Sequence, residues 1–409
     1  MLIAAVLDAV AVGTPAFDAD AATRAYLATF NGAARARSDA YFEGGYWLVL
    51  WNAVVGAGVA WAFLRLGWAA RLSGWSSTVT GGRRWLATLV WALVFLAATS
   101  LATLPWTIYT DFAREHQYGM SNQNFGQWFG DWAKDFAISV PVTALIVMGI
   151  MAGVRRSPQR WWLYAGGFTL VVMAVVLTIL PVVIEPLFNK YTPMADSPLR
   201  TSILKLAQGN GVPVTQVLVV DASRQTKRVS ANVAGFGPTT RVALNDNLLN
   251  LHDDAGTLSV MGHETGHYVL NHSISLMVGF GVIIVIGFAT VQAVVPALIA
   301  RNPGWGVRGI TDPAAVAVAV VVLALFFLVL TPVTNSLTRF HESQADYFGI
   351  NASRAPDGFA RMALRLGQYR KLEPTPFEEA VFFDHPSGRT RIHMSMEWKA
   401  AHLGEPGVQ

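Results

Sequence analysis

The residues best suited to chemistry lie in Met261-Gly-His-Glu-Thr-Gly-His-Tyr268, an H-E-x-x-H pattern. On a helix, His263 and His267 leave from one face, one turn apart. Two ring nitrogens so placed reach a single Zn²⁺ at about 2.0–2.1 Å. Glu264 stands beside the pair and is expected to take a proton from water as a general base. As isolated surface residues the histidines would need no explanation. Their helical setting at the end of a soluble insertion favours one zinc ion per chain.

A catalytic zinc held by two histidines lacks a third protein ligand, with the fourth position left to water. The chain contains no cysteine, so that ligand is His, Asp or Glu, and no disulfide or thiolate nucleophile exists. Glu342, in His341-Glu-Ser-Gln-Ala-Asp346, is the expected ligand. Asp346 lies four residues on, on the same helix face, and is expected to orient a ligating histidine from behind. An E-x-x-x-D pair alone is usually a solvated face. Following an H-E-x-x-H and an apolar span, it reads as part of the site. His341 points about 100° away and is the lesser alternative.

Peptide hydrolysis also requires stabilisation of an oxyanion. His385 and Arg391 are suited to that as a donor and a fixed cation, although a loop histidine or a helix arginine is more often plain surface polarity. Asn232 lies in Ser230-Ala-Asn-Val-Ala-Gly235, a stretch suited to pairing with a substrate chain as an added strand. Capping a turn is its equally ordinary use.

These residues need elements to hold them, and composition says where those elements sit. Of 409 residues, 53% are hydrophobic and 14% charged, which points to a polytopic membrane protein. The net charge of +4 is small, and no basic patch interleaved with aromatics argues for nucleic-acid binding. Six uncharged stretches, about 46–64, 85–106, 136–154, 161–182, 274–300 and 314–333, are long enough or nearly so to cross a hydrocarbon core of about 30 Å. Residues 1–13 are apolar but short and interrupted by Asp8, so a full span there is not expected.

The chain divides into an N-terminal apolar and amphipathic or interfacial region, 1–44; four spans with a polar loop 107–135, covering 45–184; a soluble insertion, 185–272, that carries the H-E-x-x-H helix; two further spans, 273–335; and a C-terminal part, 336–409, with the third ligand. Within the insertion a helix is expected at 199–208 and strands at 217–220, 229–236 and 239–245, the last two joined through Gly237-Pro238. Asp253 and Asp254 suit the start of the metal helix. After the sixth span the chain is expected to leave through Pro332 and continue as a polar helix containing His341-Glu-Ser-Gln-Ala-Asp346.

Taken together, these motifs resemble the Ste24-type CAAX prenyl proteases, integral-membrane zinc metalloproteases of the M48 group with gluzincin-like chemistry. The resemblance is carried by Leu104-Pro-Trp106, Tyr118-Gly-Met-Ser-Asn-Gln123, Pro186-Leu-Phe-Asn-Lys190 with Thr192-Pro193, the Asn232 stretch, His263-Glu-Thr-Gly-His267, Glu342-Ser-Gln-Ala-Asp346, and His385-Pro386 with Arg391. It implies zinc on His263, His267 and Glu342, with Glu264 as base and acid. It also implies that His385 and Arg391 meet the substrate or oxyanion and that Asn232 positions the peptide. The fold it implies is a ring of six or seven membrane helices around a large chamber, with an α+β protease domain containing a small sheet. Implied substrates are prenylated C-a-a-X or other membrane-associated proteins, cut near the C-terminus by a monomer in the lipid bilayer, which for a bacterial chain is the inner or cell membrane. Two alternatives stand beside this: an HtpX-like quality-control protease, and a non-catalytic membrane chaperone or scaffold with structural zinc. The family commonly has seven spans, which puts closure of the chamber wall in question. Orientation is contested. Arg65, Arg71, Arg83, Arg84, Arg155, Arg156 and Arg160 favour cytoplasmic loops opposite the protease domain, whereas the resemblance implies a cytoplasmic active site.

Overall fold

The computed structural model describes residues 17–235 and 240–408. The apolar stretch 1–13 and the Gly237-Pro238 connection lie outside the described residues.

In chain order the first helices are α1 (Ala19–Ala28), α2 (Gly32–Arg65), α3 (Trp68–Val79) and α4 (Arg84–Thr107), the last continuing through a π-helical turn into α5 (Arg114–Gln117). Then come α6 (Phe125–Arg156) and α7 (Trp161–Ile179). After strand β1 (Tyr191–Pro193) follow α8 (Pro198–Gly209), β2 (Val217–Val220), β3 (Ala231–Ala234), β4 (Arg241–Asn245), α9 (Asp246–Leu249) and α10 (Asp254–Val269). The chain ends with α11 (His272–Arg301), α12 (Ala315–Ser353), α13 (Pro356–Leu366), α14 (Pro376–Phe382) and α15 (Gly388–Ala401).

Among the described residues six helices are long and apolar enough to cross a membrane, and they match the six expected spans. They pack in a closed circuit: α2 on α4, α4 on α6, α6 on α7, α7 on α11, α11 on α12, and α12 back on α2. Among the described residues six helices therefore complete the circuit. Only 6% to 28% of each helix's most apolar window is buried, so most of that apolar surface faces outside the protein packing. Dense packing gathers at one end, where Leu64, Trp91, Phe95, Val154, Trp161 and Trp305 form one buried cluster.

Two expectations are corrected. The described residues of the region expected to be amphipathic or interfacial are split between two helices, α1 and the start of α2. Leu27 of α1 is buried with Ala360, Ile392 and Met396 of the C-terminal helices, and α2 begins at Gly32 and runs unbroken into the membrane. The polar stretch 110–135 is mostly helix, with its loop confined to 118–124. Past Pro332 the sixth span continues as a helix, the same α12, to Ser353.

The sheet has the order β1-β2-β4-β3, with β2 and β4 parallel and both outer pairings antiparallel. β1 was absent from the sequence reading. α8 and α10 cover the sheet, sharing a core of Ile203, Val217, Val242, Leu244 and Met261. β3 is an edge strand.

Candidate active site

α10 is anchored at its start by Asp253. This side chain accepts from Gly256 N at 3.0 Å and from Arg361 Nε and Nη2 at 2.9 and 2.8 Å. The Arg361 hydrogen bonds hold the Asp253 carboxyl below the usual carboxylate range. Further along, α10 crosses α12 at two glycines. A Cβ on Gly262 would stand 2.7 Å from Gly349 O, and one on Gly349 would stand 2.6 Å from His263 N. Only hydrogen fits at either position. One and two turns before Gly349, Asp346 and Glu342 then meet the histidines.

The ring nitrogens His263 Nε2 and His267 Nε2 are 3.0 Å apart. Glu342 places Oε2 at 3.2 Å from the first and Oε1 at 3.5 Å from the second. A tetrahedral ion at ordinary zinc distances sets its donors about 3.3 Å apart, so the three groups fit one such ion. Glu342 Oε2 is buried and has no hydrogen-bond partner, although His263 and His385 Nε2 lie at 3.2 and 3.1 Å. Neither ring nitrogen makes a hydrogen bond to that oxygen, and a cation would satisfy it.

Behind this cluster a second layer fixes the rings. His263 Nδ1 donates to Asp346 Oδ1 at 2.8 Å, and Arg391 Nη2 donates to the same oxygen. Asp346 and Arg391 are both buried. The sequence placed Arg391 at the substrate. In the structure Arg391 bonds Asp346 through Nη2 and also borders the cleft. His267 Nδ1 lies 2.9 Å from His272 Nδ1, whose Nε2 lies 3.2 Å from Gln344 Oε1. His341 turns away to Leu337 O and Ser275 Oγ, both at 2.8 Å, and offers nothing to the ion.

A cavity of about 210 Å³ opens beside the cluster, lined by Glu264, His385 and Arg391 with Val229, Ser230 and Ala231 from the β3 side. Burial pushes the Glu264 carboxyl up and the His385 imidazole down, the latter despite Asp384 at 2.8 Å from its Nδ1. Burial alone would also lower His263. Its hydrogen bond to Asp346 and the nearby Glu342 carboxylate outweigh that and raise it to about 10 in the metal-free protein. A second cavity of about 640 Å³ shares Ser230, Ala231, Tyr369 and Arg370 with the first and adds Asn232. The two make one cleft along β3, with Asn232 on its far side from Glu264.

Sequence reading missed His272, Asp384 and the glycine crossing. A third histidine in His263-Glu-Thr-Gly-His-Tyr-Val-Leu-Asn-His272 was the available signal for the first. It falls off the helical period because Asn271, at φ 56°, turns the chain between α10 and α11.

Residues 25–190 match the family described as CAAX prenyl protease N-terminal, five membrane helices. Residues 193–399 match Peptidase family M48. The chain belongs to peptidase family M48. This M48 protease is 28% identical over 312 residues to the uncharacterized metalloprotease YhfN of Bacillus subtilis, covering 76% of this chain and 73% of the relative. It is 28% identical over 309 residues to a CAAX prenyl protease 1 homolog of Oryza sativa, covering 72% and 70%. The human CAAX prenyl protease 1 homolog is 26% identical over 320 residues, covering 67% and 66%. The crystal structure of S. mikatae Ste24p has the same fold, with a TM-score of 0.73 at 19% identity over 92% of this chain and 94% of that one. The His263, His267 and Glu342 cluster fits the active site of a zinc metalloprotease, and the M48 protease is a multi-pass integral membrane protein.

Proposed function

We propose that this M48 protease is a zinc endopeptidase cutting near the C-terminus of prenylated C-a-a-X-type or other membrane-associated substrates. One observation carries the reading. The cluster is built on α10, which turns within three residues into the span α11, and on α12, which is itself the continuation of a span. A peptide bond cut there lies close to the lipid boundary. Relatives called CAAX prenyl proteases support the same substrate class.

In this reading His263, His267 and Glu342 hold the ion. Zinc bound there supplies Lewis acidity for a carbonyl and lowers the pKa of water. Glu264 accepts the proton of the attacking water and returns it to the leaving amine. His385 Nε2, facing the cluster, donates to the developing oxyanion. Asp346, steadied by Arg391, fixes the His263 tautomer. β3 offers its open edge to the substrate backbone, and Asn232 holds a carbonyl further along.

The test is a cleavage assay on the purified full chain, offering a prenylated C-a-a-X peptide against a destabilised membrane protein. Selective cleavage of the peptide supports the proposal. Cleavage of the misfolded protein alone would replace it with a quality-control role. Orientation has two readings. Kinship with the CAAX proteases supports a cytoplasmic active site. A second reading is favoured by charge: Arg301 and Arg308 lie in the remaining short connection at the end opposite the protease domain, alongside the seven arginines noted above, and basic loops favour the cytoplasm.

A further inference from the structure

The arginine-rich end of the ring holds a separate cavity, of about 370 Å³, remote from the zinc cluster. Three guanidiniums border it: Arg84 at the start of α4, Arg155 at the end of α6, and Arg308 before α12. One carboxylate lies there, and it is occupied. Asp312 accepts from Arg308 Nε at 2.9 Å, Ser73 Oγ at 2.6 Å and Ala314 N at 3.1 Å. Arg308 and Asp312 therefore neutralise one another. Arg84 and Arg155 make no ion pair among the described residues. Arg155 is held in place by neutral acceptors, Thr88 Oγ1 and Arg84 O. Arg155 is thus held on the wall that the exposed Arg84 also borders, together with Ser77 and Thr311. Left empty, that arrangement is repulsive. An anion with several acceptor oxygens resolves it.

Position narrows the anion. The cavity opens where α4 and α6 reach their ends, and Trp85 beside it is 57% exposed, as an interfacial tryptophan would be. This is headgroup depth. Basic pockets between membrane helices at that depth hold lipid phosphates. We propose that Arg84 and Arg155 bind the phosphate of an anionic phospholipid, Ser77 and Thr311 contributing hydroxyl donors. The proposal is independent of the protease reading.

Native mass spectrometry of the full chain in detergent tests it, with phosphatidylglycerol, phosphatidylcholine and inorganic phosphate titrated separately. One phosphatidylglycerol per chain should bind in preference to phosphatidylcholine. R84Q/R155Q should weaken it roughly 10- to 100-fold, and R84K/R155K should restore it in large part. R71Q/R160Q removes two charges of the same end outside the cavity and should leave the affinity unchanged. Should R84Q/R155Q fail to fold, S77W fills the cavity with every charge in place and carries the same expectation of loss. Unchanged affinity in R84Q/R155Q or S77W overturns the proposal, as does equal loss in R71Q/R160Q or equal binding of phosphatidylcholine. Binding of inorganic phosphate with no binding of lipid overturns the lipid as its source.

Discussion

Glu264 is raised by burial while it faces open cleft, the setting of a carboxylate that exchanges a proton during turnover. Replacing it with Gln should leave zinc content and thermal unfolding near wild type and cut peptide hydrolysis by about 10²–10⁴-fold or more. Metal analysis beside a cleavage assay checks both halves, and loss of fold in place of turnover would instead indicate a scaffold holding structural zinc. Asp346 to Asn removes the acceptor that orients His263 and should cost about 10–100-fold in zinc affinity. Protons compete with that ion. His263, raised to about 10 in the metal-free protein, carries a proton at neutral pH that the ion must displace. Zinc uptake should release close to one proton from this ring, and affinity should rise with pH up to about 10. Calorimetry in buffers of different ionisation enthalpy measures the release. The sign for the metal-free fold is opposite: the raised pKa stabilises it fully below about 6.5, and that increment is lost as pH rises through about 10.

At the scale of elements the decisive contact is the crossing of α10 and α12. Gly349 to Ala puts a methyl 2.6 Å from His263 N, so the helices must part. The expected cost is about 1–3 kcal/mol of stability, together with weaker zinc binding, since Glu342 and Asp346 ride on the displaced helix. Denaturant unfolding and metal titration of the same variant check this. Asp253 to Ala removes the cap of α10 and its Arg361 pair, and should cost about 1 kcal/mol while leaving the cluster geometry intact. The two motifs were legible because helical spacing puts His263 with His267, and Glu342 with Asp346, on single faces. The crossing was not, because a glycine's value there depends on what faces it eighty-odd residues away. β1 escaped notice for a related reason. Three residues ending in Pro193 carry no alternation, and only pairing with β2 makes them a strand.

For the molecule as a whole, apolar runs gave the number of spans, and no local pattern could give their circuit. That six helices close the ring depends on α12 returning to α2, a contact between residues hundreds of positions apart. Reporter fusions after Trp68 and after Ala207 settle which end faces the cytoplasm. A cytoplasmic signal at Ala207 alone supports the kinship reading, and one at Trp68 alone supports the arginine reading. The aromatic cluster of Trp91, Phe95, Trp161 and Trp305 has a consequence of its own. It belongs to one buried core shared by all six membrane helices, so a single large-to-small change there loosens a whole end of the ring and not one helix alone.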